Sequence, residues 1–124
     1  MKRIFSFRGR LNRLSYFLCF LILTAVSLIL KYVGDAIKPI LNTNLLLGEF
    51  LTVCYLVIVV LVIWLWLAID TQRMHDMGFS GWYLLGLLIP LVDIGIELML
   101  LIKKGDDGQN KYGVDPLSID PKIK

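Results

Sequence analysis

His75, Asp76 and Ser80 fall within one six-residue stretch and are the residue types of a hydrolytic triad. Adjacent residues such as His75 and Asp76 point to different faces of a helix, so neither can align the other for proton transfer. No nucleophile-elbow glycines surround Ser80. The expectation is therefore a protein that is not an enzyme. A lone histidine without cysteines in reach is a poor start for a metal site, and no cofactor motif is present. Asp106, Asp107 and Asn110 lack the alternating spacing of a calcium loop, and the glycine-rich tail around them lacks the Gly-Lys-Ser/Thr of a phosphate-cradling loop.

Two other charged groupings could act without catalysing. Arg8, Arg10 and Arg13 can contact anionic headgroups or an acidic partner, each contributing about 1 kcal/mol beside an acidic surface, or they can simply anchor topology. Arginine rather than lysine at all three positions favours bidentate contacts. Asp93 and Glu97 are four apart and share a face on a continuous helix. Carboxylates within an apolar segment are costly and mark candidates for proton or ion handling. Alternatively, Asp93 lies at a bend, Glu97 nears an interface, and both meet water. Asp70, Arg73 and Asp76, at i, i+3 and i+6, predict an ion-pair ladder on one helix face that leaves His75 free to titrate.

The elements that must position these groups are membrane segments. The 124 residues are 57% apolar and 19% charged, against about 45–50% and about a quarter in soluble domains. Three apolar runs, Leu14–Leu30, Phe50–Ile69 and Trp82–Ile102, contain only Asp93 and Glu97 as charged residues. The expectation is an all-α integral membrane protein, one membrane domain over residues 1–124. Its segments are placed at about 14–33, 50–69 and 82–102, with a basic head (1–13) and a polar tail (103–124). The first run reaches Val33 because Lys31 can snorkel. Pro39 and Asn42-Thr43-Asn44 predict a polar connection over 34–49. Gly78, Ser80 and Gly81 predict a break, with Ser80 capping the next helix and Trp82 in the aromatic belt.

The basic start and Gly34-Asp35-Ala36 loosely resemble a signal peptide, but the apolar stretch is too long for one. Retention as an anchor is expected. Cys19 and Cys54 lie inside apolar runs and read as reduced, structural thiols.

Pro90, Asp93 and Gly95 interrupt the third run, so it either crosses with a kink or returns as a re-entrant hairpin. Basic residues bear on the choice. With the amino terminus cytoplasmic and three crossings, the cytoplasm holds six and the far side seven; with a returning third segment, the split is eleven and two.

Three polar motifs flank the runs: Phe7-Arg8-Gly9-Arg10-Leu11-Asn12-Arg13 before Tyr16-Phe17, Arg73-Met74-His75-Asp76 through Ser80-Gly81-Trp82, and Gly105-Asp106-Asp107-Gly108-Gln109-Asn110-Lys111-Tyr112-Gly113-Val114-Asp115-Pro116. In type and order they resemble the small bacterial inner-membrane family catalogued as domain of unknown function 805. The resemblance implies a bacterial inner-membrane protein of this size and no particular activity. Phe17, Met74 and Asp93 depart from the family's usual residues, and Asp93 then argues against a shared mechanism through that carboxylate.

The function expected is a structural, regulatory or partner-binding role. It would use Arg8, Arg10, Arg13, Arg73, His75, Asp76, Asn110, Tyr112 and Asp115 at the span ends. The alternative is a small oligomeric channel or proton-coupled transporter using Asp93 and Glu97. Expected partners are the bilayer with its anionic headgroups, and a second copy or another membrane protein. The basic balance does not imply nucleic acid, since no segment builds a folded basic surface.

Overall fold

A computed structural model describes residues 5–118. Lys2 and Arg3 of the basic head and residues 119–124 of the tail lie outside the described residues. The described chain is helical: α1 (Arg13–Thr43), α2 (Leu45–Asp76), a 3-10 helix (Gly81–Leu88) and α3 (Val92–Ile102). No strand occurs among the described residues; Asn110 and Gly113 form an isolated antiparallel bridge.

α1 and α2 have 31 and 32 residues, about 46–48 Å each at 1.5 Å per residue. Both are long and apolar enough to cross a membrane. Asn12 starts α1: its side-chain oxygen accepts from the Ser15 N–H at 2.8 Å, and its carbonyl from Tyr16 at 2.9 Å. The expected polar connection over 34–49 is not there. α1 runs through Pro39 to Thr43, and Asn44 alone links the helices. Proline deletes one backbone donor and its ring crowds the Asp35 carbonyl, yet the helix continues on both sides of it. The turn signal holds only at its last residue: Asn44 caps α2 by accepting from the Leu47 N–H at 3.2 Å.

The structure divides into two units, residues 20–66 and the flanking remainder. In the first, the adjoining halves of α1 and α2 pair as a hairpin. A Cβ on Gly48 would meet the Leu41 backbone at 2.5 Å, so the turn needs glycine there. Trp66 donates its indole N–H to Ser27 at 3.3 Å and meets Phe20 edge-on at 5.4 Å. Leu28, Ile29, Val53, Leu56, Val57, Val60 and Leu61 face outward, as lipid-facing side chains must.

The second unit holds the head, the end of α2, the third apolar run and the tail. α2 closes on a left-handed Gly78 (φ 77°), with Gly78 N–H to His75 carbonyl at 3.2 Å and Phe79 N–H to Met74 carbonyl at 3.0 Å. Ser80 then caps the 3-10 helix, as its position suggests, accepting from the Trp82 N–H at 3.4 Å.

The third run is not one continuous helix. It breaks at Ile89–Leu91, where Leu91 takes a positive φ of 75° that leucine rarely adopts. The two short helices then pack on each other, with Gly86 close enough to Ile96 and Val92 that a Cβ would clash. Its ends meet: the Lys103 ammonium stands 4.2 Å from the centroid of the Phe79 ring. A kinked single crossing would separate those residues by the width of the hydrocarbon, about 30 Å. Trp82, Leu88, Leu91 and Ile102 are exposed along the hairpin.

The core of this unit combines Tyr16, Ala68, Ile69, Met74, Met77, Leu84 and Leu100 with buried Asp70, Thr71, Gln72, Arg73 and Asp76. The ladder over Asp70, Arg73 and Asp76 forms only in its second half. Asp70 instead accepts from the Tyr16 hydroxyl at 3.0 Å, in a buried contact joining the first turn of α1 to the start of the polar link, residues 70–81. Tyr16→Phe removes that donor beside a carboxylate that is 7% exposed. The expected loss is about 1–3 kcal/mol, read as a lower melting temperature in detergent.

Candidate functional site

The last turn of a helix leaves carbonyls without intrahelical partners. At the end of α2 the head and tail supply those partners. The Gln72 carbonyl accepts from the Leu11 N–H (3.1 Å), His75 from the Asn110 side-chain amide (2.9 Å), and Asp76 from the Asp106 N–H (2.7 Å). Gln72 in turn donates to the Ser6 carbonyl. Head and tail are thus caps on α2, held by backbone groups as much as by side chains.

Two arginines close the arrangement around one carboxylate. Arg10 reaches Asp76 Oδ1 at 3.0 Å and Arg73 reaches Asp76 Oδ2 at 2.5 Å; the three side chains are 1%, 0% and 4% exposed respectively for Arg10, Arg73 and Asp76. Arg10 spends its remaining donors on the carbonyls of Asp76, Asp106, Gly108 and Gly113. Arg73 donates to the Leu100 carbonyl at 2.9 Å, to Leu11 at 3.4 Å and to Lys103. Arg13 adds a bond to the Ile102 carbonyl at 3.3 Å. Two cations therefore cap the negative end of α3. The fork of guanidinium donors makes this possible, since an ammonium cannot address separated carbonyls in fixed directions.

Arg10 is consequently not available to a lipid headgroup, and of the three head arginines only Arg8 and Arg13 are exposed. The nearby His75 is packed rather than free: its ring stacks on Tyr112 (3.8 Å between centroids, 8° between planes) with Nδ1 3.3 Å from the Gly9 carbonyl oxygen. Asn110 also touches Asp106 at 3.1 Å and accepts from the Tyr112 N–H at 2.9 Å. Asp115 accepts from the backbone N–H groups of Leu117 and Gly108, which hold its carboxyl below the usual carboxylate range. The structure thus brings Arg10, Arg13, Arg73, His75, Asp76, Asn110, Tyr112 and Asp115 into one clasp. Asp93 is apart from it, on α3, whereas Glu97, on the same helix, is near enough to Tyr16 and Asp70 to act on them electrostatically. Asp93 lies in the first turn and accepts from the Ile94 N–H at 2.7 Å.

Tyr16, Gln72 and Gly105 belong to the site without having been singled out by residue type. Gly105 passes so close to Asp76 that a Cβ would overlap the carboxylate oxygen, and a Cβ on Gly78 would stand 2.6 Å from Asp106 Oδ2. Gly105→Ala must push Asp76 off both arginines. We expect it to destabilise by about 2–4 kcal/mol, as breaking a buried network does, and to expose the tail to limited proteolysis, while Gly95→Ala, where a Cβ meets open space, leaves Asp76 in place.

Both free cysteines lie in the apolar helices, Cys19 half-buried and Cys54 exposed. Among the described residues no group of three His, Cys, Asp or Glu side chains could hold a metal ion.

Residues 4–114 match the family described as "Protein of unknown function (DUF805)". The chain belongs to the DUF805 family. It is similar to "Inner membrane protein YhaH" of Escherichia coli (strain K12), 32% identical over 117 residues that cover 94% of this chain and 91% of that protein. The protein of the same name from Escherichia coli O157:H7 matches to the same extent. No solved structure matches. With two apolar helices of spanning length, the chain is an inner-membrane protein of a DUF805 family whose role is unknown.

Proposed function

We propose that the chain is a non-enzymatic membrane scaffold. α1 and α2 span the bilayer, the 3-10 helix and α3 enter it as a re-entrant hairpin, and the clasp gathers head, link and tail on the cytoplasmic face. One observation carries the reading. The Arg10 guanidinium, 1% exposed, joins the link's Asp76 to the tail carbonyls of Asp106, Gly108 and Gly113. Groups on opposite sides of a membrane could not share one side chain.

The side chains that suggested chemistry are spent on architecture. Asp76 is divided between two arginines, His75 stacks and binds Gly9, and Ser80 caps a helix. Polar groups committed in this way support a recognition surface rather than a reaction centre, presented by the outward residues Arg8, Arg13, Gln109 and Lys111. A returning third segment also restores the strong excess of basic residues on the cytoplasmic side.

The test is site-specific photocrosslinking in intact cells, with the photoreactive residue at Arg8, Gln109 or Lys111, or at Leu21 on the lipid-facing side of α1. A discrete protein adduct from the first three positions, absent from Leu21 and lost when Arg10→Ala opens the clasp, is the expected result. Equal labelling of lipid alone from all four positions would contradict the reading.

A further inference from the structure

The unit formed by residues 20–66 contains a groove of about 380 Å³ between α1 and α2, within the range of small-ligand sites. Its α1 wall repeats at helical spacing, through Ser27, Leu30, Lys31, Gly34, Asp35 and Lys38. Its chemistry is graded along the helices. Lys31, Asp35, Lys38 and the Tyr55 hydroxyl occupy one end; Leu30, Val59, Val62 and Ile63 continue towards Trp66. At that apolar end the Trp66–Ser27 hydrogen bond (3.3 Å) joins the two walls.

The charge at the polar end is the informative part. Lys38 pairs with Asp35 at 2.7 Å, whereas Lys31 makes no ion pair among the described residues. The balance is one net positive charge over a tyrosine hydroxyl. Residues 34–49 and the adjoining Lys31 hold two basic side chains, Lys31 and Lys38, and both line this groove. Lys38 lies seven residues beyond Lys31, about 10 Å along the helix axis. That span covers the edge of the hydrocarbon and a headgroup layer of roughly 5–8 Å.

We propose that this groove is a phospholipid site. The phosphate sits between Lys31, Lys38 and the Tyr55 hydroxyl, and one acyl chain lies along Leu30, Val62 and Ile63 to Trp66. Tyr55 can stand there because Gly34 opposes it: a Cβ on Gly34 would come within 2.8 Å of the Tyr55 oxygen. The site lies wholly within residues 20–66 and does not depend on the clasp or on the proposed role.

The full chain, purified in mild detergent, can be titrated with an anionic phospholipid and examined by native mass spectrometry. The wild type should retain one phospholipid per chain. Lys31→Gln with Lys38→Gln removes the phosphate contacts on exposed positions, and Ile63→Trp fills the acyl path from another exposed position. Each should weaken retention at least tenfold with an unchanged melting temperature. Retention equal to wild type in the doubly substituted protein overturns the proposal. So does a dimer that Ile63→Trp dissociates, because the groove would then hold a second copy. Inorganic phosphate that competes as well as the lipid would overturn it too, since the acyl chain would contribute nothing.

Discussion

Arg73→Ala should release the third apolar run from the end of α2. Arg73 is fully buried and joins Asp76 to the carbonyls of Leu11, Leu100 and Lys103. Its removal leaves a buried carboxylate with one cation instead of two and leaves Arg13 as the one remaining cation on the last turn of α3. Breaking a buried, hydrogen-bonded pair costs about 3–5 kcal/mol. In a chain of this size that corresponds to a melting temperature lower by on the order of 10 °C. Arg73→Lys should recover only a minor part, because one ammonium cannot serve Asp76 and the α3 carbonyls together. Thermal melts of the two variants in the same detergent check this; a lysine variant as stable as wild type would show that charge alone matters.

Arg10→Ala should be comparably damaging, with a different signature. Arg10 holds the tail, through the carbonyls of Asp106, Gly108 and Gly113, against Asp76. The expected loss is again about 3–5 kcal/mol, and residues 104–118 should become sensitive to protease while the two long helices stay protected. Coupling identifies the partner. Asp76→Asn should cost at least about 1 kcal/mol less in the Arg10→Ala background than in the wild type, because the two residues act through one contact. Full additivity would mean that the contact contributes nothing to stability.

The membrane class and a second helix long and apolar enough to span were legible from composition, since no charge interrupts Phe50–Ile69. Helix limits were legible only in part. The i, i+3, i+6 spacing of Asp70, Arg73 and Asp76 reads as a helix face and these residues do continue α2, but two of the groups that satisfy the carboxylates, Arg10 and Tyr16, are distant in sequence. Pro39 reads as a stop and is absorbed by α1. For the third run, Pro90 and Gly95 announced an interruption, but whether it kinks or returns depends on what holds Lys103 beside Phe79. That holding group is Arg73, 30 residues away from Lys103.

The site was legible in its residue types and illegible in its pairings. Arg10, Arg73, Asp76 and Asn110 stand out as polar residues at span ends. Most of their partners, however, are backbone carbonyls at Leu11, His75, Leu100, Gly108 and Gly113. A carbonyl is the same group in every residue, so nothing in the sequence marks it as an acceptor. Gly105 is the exception that could have been read: a glycine at the start of a polar tail signals close approach, here to Asp76.

The central claim is that the third run returns, so that head, link and tail share one aqueous face. Paired reporters fused after residue 124, one active only in the cytoplasm and the other only outside it, test this directly, with the same pair on the amino terminus as reference. The account predicts cytoplasmic activity at both ends. Activity outside the cell at the carboxy terminus, with the amino terminus inside, would mean that residues 82–102 cross, and the clasp could not exist in the membrane.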